Sequence, residues 1–220
     1  MRRILVPLAL IVLLGLLSTA WSADKVPEEG FQPLFNGKDL AGWKVHGGKM
    51  DSWGVDKGLL FTTGKGGGWL LTDQEFSDYE MRLEYRWEKP GGNSGVAVRA
   101  PLTSAVSTQG IEIQLIDDTG YEKVHKYKLK PTQHTGSIYG VVPPSKLPAK
   151  GPGEWNKMRI VAKGRRITIE LNGEIVTDAN LDDHKDQAKA HPGLLRTKGH
   201  VGVQSHGARV DFRNPRIKPL

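Results

Sequence analysis

The chain has 220 residues, a length that allows one large domain with its own hydrophobic core. It contains no cysteine, which excludes a disulfide framework, a thiolate nucleophile and a cysteine-based zinc site. Lysine and arginine outnumber aspartate and glutamate by 31 to 24, a mild excess that does not by itself indicate nucleic-acid binding.

The first 22 residues have the pattern of a secretory signal peptide. Met1-Arg2-Arg3 is basic, residues 4–17 are apolar, and small residues follow, with cleavage expected after Ala20 or Ser22. The apolar run is shorter than the roughly 20 residues that a membrane-spanning helix needs. We therefore expect export to the periplasm or the medium, with no membrane attachment after cleavage. Removing the leader lowers the formal charge to about +5.

Residues 23–30 are polar and predict a flexible arm, and short strands follow. Residues 52–62 predict a hairpin that turns at 56–58. Residues 76–89 alternate apolar and charged side chains, which predicts a long strand with one buried face. Pro90-Gly91-Gly92 ends this strand.

The second half of the chain continues as strands. Residues 166–179 predict a type I′ hairpin at Asn172-Gly173, and two further strands flank His206-Gly207. Residues 181–190 are the one convincing helical candidate. About ten strands and 27 glycines predict an all-β protein, and we expect a single jelly-roll-like β-sandwich over residues 31–220.

The stretch 110–117, GIEIQLID, is the predicted working surface. Alternation places Ile111, Ile113 and Leu115 on one side of a strand, and Glu112 and Gln114 on the other. A carboxylate and an amide on one stiff surface suit substrate binding or proton transfer. An ordinary solvated outer face is the alternative.

Further polar residues are candidates for the same site. His206, in a tight turn, carries an imidazole, a side chain suited to moving protons. Asn93 and Ser94 form a polar turn that offers hydrogen-bond donors. Arg99 is expected to point outward from the strand that follows. For each, a turn or a surface position without function is the alternative.

Three weaker candidates complete the set. Asp117 follows the strand at its end, and His134 lies in PTQHTG. Trp69, after three glycines, is the tryptophan most expected to be exposed.

No metal or cofactor is predicted. The seven histidines show no ligand spacing, although a sandwich can assemble a divalent-metal site from distant strands. The basic run 123–130 lacks a recognition motif and predicts a solvated surface, so no nucleic-acid partner is expected. The oligomeric state is left open.

Several stretches, in order along the chain, resemble the 3-keto-disaccharide hydrolase family. The loop 102–109 departs from the family pattern, and we expect it to reshape the substrate groove. The resembling stretches are LFNGKDLAGWK (34–44), GGNSGVAVRAP (91–101), GIEIQLID (110–117), PTQHTGSIYG (131–140), GEWNKMRIVAKGRRITIELNG (153–173), GLLRTKGHVGVQSHG (193–207) and VDFRNPRIK (210–218).

The resemblance implies a concanavalin-like sandwich that cleaves sugars oxidised to a ketone at carbon 3. The ketone acidifies the hydrogen on carbon 2, so a base could remove it, expel the glycosidic oxygen from carbon 1, and let water add back. On this interpretation Glu112 and His206 are the catalytic pair. The substrate-binding set is Asn93, Ser94, Arg99, Gln114, Asp117, His134 and Trp69.

Two other functions remain open. A retaining β-glucanase-like glycosidase would use the spacing of Glu112, Gln114 and Asp117, but it needs two carboxylates about 5.5 Å apart. A non-catalytic carbohydrate-binding module would need aromatic platforms and no base.

Overall fold

A computed structural model describes residues 28–220. The predicted signal peptide, residues 1–22, and most of the predicted arm lie outside this range. Among the described residues, no helix is long and apolar enough to cross a membrane.

Strands dominate the described part of the chain. The strands are β1 Gln32–Pro33, β2 Trp43–His46, β3 Trp53–Asp56, β4 Leu59–Thr62, β5 Trp69–Phe76, β6 Tyr79–Trp87, β7 Asn93–Ala100, β8 Ile111–Ile116, β9 Asn156–Lys163, β10 Arg166–Leu171, β11 Glu174–Asn180, β12 Gly199–Gln204 and β13 Val210–Pro219. The α-helices α1 Val106–Gln109 and α2 Tyr121–His125 are single turns, and 3₁₀ turns cover Met50–Ser52, Pro131–Gln133, Leu181–Lys189 and Pro192–Leu195.

The strands form two antiparallel sheets. One has the order β11-β10-β9-β6-β13-β4-β3, with β1 added against β13. The other has the order β2-β5-β12-β7-β8. The predicted all-β jelly-roll sandwich is therefore confirmed.

The core lies between the sheets, and β6 shows how the sequence builds it. The predicted alternation is confirmed, because every second side chain from Tyr79 to Trp87 is buried while Arg82 and Arg86 reach the surface. Each buried apolar side chain contributes about 1.5–3 kcal/mol. The five-stranded sheet supplies the opposite side of the core with Leu70, Val96, Val98, Ile111, Ile113, Leu115, Val201 and Val203.

Local turn chemistry sets the β10–β11 hairpin. Asn172 and Gly173 have φ of 53° and 91°, the left-handed pair that a type I′ turn requires, so the predicted hairpin is confirmed. The predicted helix over 181–190 is instead a 3₁₀ segment, Leu181–Lys189, interrupted at His184. Only Leu181 of this segment is buried, so an apolar face that would support an α-helix is lacking.

The last residues of the predicted arm are held against the eight-stranded sheet. Glu28 forms ion pairs with Arg82 and with Arg216. Both arginines also lie over the ring of Phe31. Residues 28–31 therefore contact the outer surface of this sheet.

Arg99 does not point outward as predicted. Its backbone has φ of 49°, and its side chain is fully buried. The guanidinium donates to the carbonyls of Ser77 and Gly164 and to Asp78 Oδ1, at 2.7–3.1 Å. Arg99 therefore joins three chain segments inside the fold, and a contact with substrate does not fit this placement.

Replacing Arg99 tests this structural role. Arg99→Met leaves buried carbonyls without donors, so we expect the free energy of unfolding to fall by about 2–4 kcal/mol. Urea unfolding followed by tryptophan fluorescence measures the change. Asp78→Asn is the control, because its side chain is 38% exposed and keeps an acceptor, so we expect a loss below about 1 kcal/mol. Equal losses in the two variants would contradict the assignment.

Candidate functional site

Glu112 and Gln114 lie on the face of the five-stranded sheet that points away from the core. Ile111, Ile113 and Leu115 alternate with them and belong to the core, as the sequence predicted. The two polar side chains are nevertheless almost completely buried, at 4% and 2% exposure. Other parts of the chain therefore cover this surface, which the alternation alone did not indicate.

We call this surface the site face. The strand register aligns the residues that share it, because directly paired residues in antiparallel strands point to the same side. The aligned positions are Lys44 and His46 on β2, Trp69 and Leu71 on β5, Gly202 and Gln204 on β12, Asn93, Gly95 and Ala97 on β7, and Glu112 and Gln114 on β8.

One isolated bridge extends the sheet beyond β8. Ile138 pairs with Ile113, and the Tyr139 N–H donates to the Glu112 carbonyl at 2.9 Å. The Gln114 N–H donates to the Ser137 carbonyl at 3.1 Å. This register places Ser137 and Tyr139 on the site face, directly opposite Gln114 and Glu112.

The Glu112 carboxyl lies above Gly95. A Cβ atom at Gly95 would be 2.4 Å from Glu112 Oε1 and 3.0 Å from the tip of the Trp69 ring, so glycine is required there. Among the described residues, no donor makes a hydrogen bond to this carboxyl. Burial without such a partner raises the pKa of Glu112 from 4.5 to about 8.

Residues 101–109, which we call the roof, cover one end of the site face. Val106 of the roof is fully buried against Trp69, Leu71 and Ala97. A Cβ atom at Gly47 would lie 2.1 Å from the Ser104 Cβ, so the roof also reaches the β2 edge. This end of the face is closed, and the face continues toward Asn93 and His206.

The other end carries Gln114, Asn93 and His206. Gln114 Nε2 donates to Asn93 Oδ1 at 3.0 Å, which leaves the Asn93 amide nitrogen available to a ligand. His206 pairs with Asn93 as an isolated bridge and has an exposed side chain. From strand spacings, its backbone is on the order of 8 Å from the point above Gly95. A disaccharide can span this distance.

Trp69 is not the exposed stacking platform that the sequence predicted. Its side chain is 2% exposed, because the roof packs over it. The ring tip instead meets the Glu112 carboxyl above Gly95. Trp69 therefore forms an apolar wall that removes water from the carboxyl.

Ser94 and Asp117 also differ from their predicted roles. Ser94 is fully buried, and its hydroxyl donates to the Gln204 carbonyl at 2.7 Å, because β7 and β12 are neighbours. The buried Asp117 carboxylate accepts from the N–H groups of Gly91 and Thr119 and from the Thr119 hydroxyl. Both side chains hold turns and strands together, and neither offers a free group to a ligand.

His134 lies beyond the end of β8. Its Nδ1 is 2.9 Å from Oδ1 of Asp118, a buried carboxyl whose pKa is raised by burial and lowered in part by this contact. By strand register the pair is about five residues, roughly 17 Å, from Glu112 along the strand. The structure therefore does not bring His134 to the Glu112 carboxyl.

Grooves also lie on the outer surface of the eight-stranded sheet. Two of them, of about 430 and 740 Å³, share Glu84 and Arg216 in their walls. Their charged side chains largely pair with one another, as Arg159 does with Glu80 and Arg213 with Glu84. Paired surface charges are an ordinary feature of a solvated sheet, whereas Glu112 is buried and unpaired.

Several residues of the site face were not identified from the sequence. His46, Gln204 and Tyr139 are among them. His46 Nε2 is buried with no hydrogen-bond partner among the described residues, and burial, together with nearby His200, lowers its pKa. Alternation within 135–140 could have grouped Tyr139 with Ser137, but only the pairing with β8 shows which face they occupy.

A metal site of the usual composition does not form in the described range. Within residues 28–220, no three His, Asp or Glu side chains lie close enough together to hold a metal ion.

Comparison with known proteins identifies the family. A curated 3-keto-disaccharide hydrolase of Bacteroides thetaiotaomicron is 25% identical over 89% of this chain and 80% of its own length. A solved Parabacteroides distasonis structure, proposed to be a glycosyl hydrolase, is 30% identical, with a TM-score of 0.77 over 87% of this chain and 94% of that one.

A carbohydrate-binding module of Bacillus subtilis, CBM66, shares the fold at 16% identity, with a TM-score of 0.55 over 80% of this chain and 95% of that one. This likeness concerns the fold alone. The family model for the 3-keto-alpha-glucoside-1,2-lyase-like domain matches residues 30–218, and the chain belongs to this family.

Proposed function

We propose that this protein is an exported enzyme that cleaves 3-keto-disaccharides and related 3-keto-glycosides. Its family, its 3-keto-disaccharide hydrolase relative and the chemistry of the site face support this function. The reaction removes the proton on carbon 2, expels the glycosidic oxygen from carbon 1, and adds water to give net hydrolysis.

Glu112 is the general base in this proposal. A carboxylate is a weak base at its ordinary pKa, and a value near the working pH improves proton abstraction. Burial beside the apolar Trp69 ring raises the pKa of Glu112 to about 8, and no donor among the described residues offsets this effect. The missing side chain at Gly95 makes room for the Glu112 carboxyl beside the Trp69 ring.

The polar end of the site face supports the developing charge. Loss of the carbon 2 proton moves negative charge onto the ketone oxygen at carbon 3, which a nearby N–H donor stabilises. The exposed imidazole of His206 and the free amide nitrogen of Asn93 are the donors in this position. Gln114 orients Asn93 through its 3.0 Å hydrogen bond.

The buried, unpaired carboxyl of Glu112 is the observation that carries this proposal. A binding module gains nothing from such a group, because a carboxyl without partners destabilises the fold. The aromatic platform that a binding module needs is also missing at Trp69, which is covered by the roof.

A retaining glycosidase fits the site less well. That mechanism needs two carboxylates about 5.5 Å apart. Gln114 is an amide, and the Asp117 carboxylate already accepts from the N–H groups of Gly91, before β7, and Thr119, beyond β8. Glu112 therefore has no second carboxylate from this strand.

Removing the base tests the mechanism. Glu112→Gln keeps the shape of the side chain but cannot accept the carbon 2 proton, so we expect turnover of a 3-keto-disaccharide to fall about 10²- to 10⁴-fold with substrate binding retained. Sugar release and deuterium uptake at carbon 2 from D₂O are the measurements. Glu154→Gln, at an exposed glutamate, is the control and should match the wild type. Cleavage of only the unoxidised disaccharide by the wild type would overturn the proposal.

The raised pKa also predicts how activity depends on pH. Only the ionised carboxyl is a base, so kcat/KM should rise about tenfold per pH unit and level off near pH 8. A pH profile of kcat/KM for the 3-keto substrate measures this. A profile that is already flat at pH 5 would contradict the assignment.

Stability should change with pH in the opposite direction. Between pH 4.5 and about 8 the folded chain keeps a proton on Glu112 that the unfolded chain has released, so the free energy of unfolding falls as pH rises. Glu112→Gln lacks this loss and should be more stable than the wild type above pH 8, by up to about 5 kcal/mol. Urea unfolding of both proteins at pH 4.5 and pH 9 checks the sign.

Export is part of the proposal and rests on residues 1–22. We expect the mature chain to begin after Ala20 or Ser22. Sequencing the N-terminus of the protein recovered from the periplasm and the medium measures this. An intact Met1 terminus on cytoplasmic protein alone would contradict export.

A further inference from the structure

Tyr139 occupies the site-face position nearest to Glu112 on the outer side of β8. Its N–H donates to the Glu112 carbonyl, and its neighbour Ile138 is buried in the core, so the strand register assigns Tyr139 to the site face. Cβ atoms of directly opposed residues are about 4.5–5.5 Å apart. Tyr139 is half-buried and thus reachable by a ligand.

A fixed amide controls the Tyr139 hydroxyl. Gln133 Oε1 accepts a hydrogen bond from the Lys130 backbone N–H at 2.9 Å. Because a backbone N–H can only donate, this contact fixes which end of the Gln133 amide is the oxygen. Gln133 Nε2 then donates to the Tyr139 hydroxyl oxygen at 3.4 Å. Since the hydroxyl oxygen accepts this bond, its own proton remains available for donation to a ligand.

We infer that Tyr139 is the general acid that protonates the departing glycosidic oxygen. This inference rests on the proposed function, which needs such an acid because a sugar alkoxide is a poor leaving group. His206 lies on the other side of the Glu112 carboxyl, toward the end of the face that carries Asn93. Carbon 1 and carbon 3 likewise lie on opposite sides of carbon 2 in the sugar ring.

The step balances with the groups present. Glu112 takes the carbon 2 proton, and the electron pair of that bond forms the enolate with carbon 3. As the ketone re-forms, the pair becomes a double bond between carbons 1 and 2, and the carbon 1–oxygen bond breaks. The departing oxygen takes the Tyr139 proton, and the resulting phenolate recovers a proton from water.

A comparison of leaving groups tests this role. Two 3-keto-glucosides are used, one with a second sugar and one with 4-nitrophenol, which leaves without protonation. Tyr139→Phe should lower kcat about 10²- to 10³-fold for the disaccharide and less than about tenfold for the nitrophenyl substrate. Deuterium uptake at carbon 2 should persist, because Glu112 is unchanged.

Tyr127→Phe is the matched control. The Tyr127 hydroxyl donates to the same Gln133 side chain, but its ring is 44% exposed and lies outside the site-face strands. We expect its kcat on both substrates to stay within about twofold of the wild type, because the Lys130 contact still fixes the amide.

Three outcomes would overturn the assignment of Tyr139 alone. The first is an equal loss of kcat on both substrates in Tyr139→Phe. The second is loss of deuterium uptake at carbon 2 in the same variant, and the third is an equally large loss of kcat in Tyr127→Phe. Wild-type protein that neither exchanges the carbon 2 proton nor releases product from either 3-keto substrate would instead overturn the proposed function, and the Tyr139 role with it.

Discussion

The contact above Gly95 is the constraint on which the site depends. The Glu112 carboxyl and the tip of Trp69 meet where any Cβ would collide with both. The glycine lets the carboxyl lie flat on the sheet, and the indole keeps water and donors away from it. The same contact that buries Glu112 also raises its pKa to about 8, so packing and proton affinity have one cause.

The sandwich makes this arrangement rigid. β8 is not an exposed edge, because β7 pairs with one side and residues 137–139 pair with the other. Its core-facing side chains lie between the two sheets, so a shift of β8 by one residue would move Glu112 into the core. A buried unpaired carboxyl is destabilising by itself, and the framework on both sides and beneath holds it in place.

The parts of the site that follow from local sequence were predictable. The alternation in 110–117 predicts which side chains of β8 share a face, and Asn172-Gly173 predicts its hairpin. The exposure of Trp69 was not predictable, because it depends on the roof, a segment more than 30 residues away in the chain. The burial of Arg99 was not predictable either, because its positive φ and its hydrogen bonds to Ser77 and Gly164 arise only in the folded sheet.

Long-range register decides the remaining chemistry. Glu112 has Tyr139 on one side and the end of the face with Asn93 and His206 on the other. Proton abstraction from carbon 2 needs this division, because the leaving oxygen is on carbon 1 and the enolate charge develops on the oxygen of carbon 3. A single acid beside the base could serve only one of these positions. An antiparallel sheet fixes both at once, since each strand added beside β8 places its own side chains at a set distance on the same face.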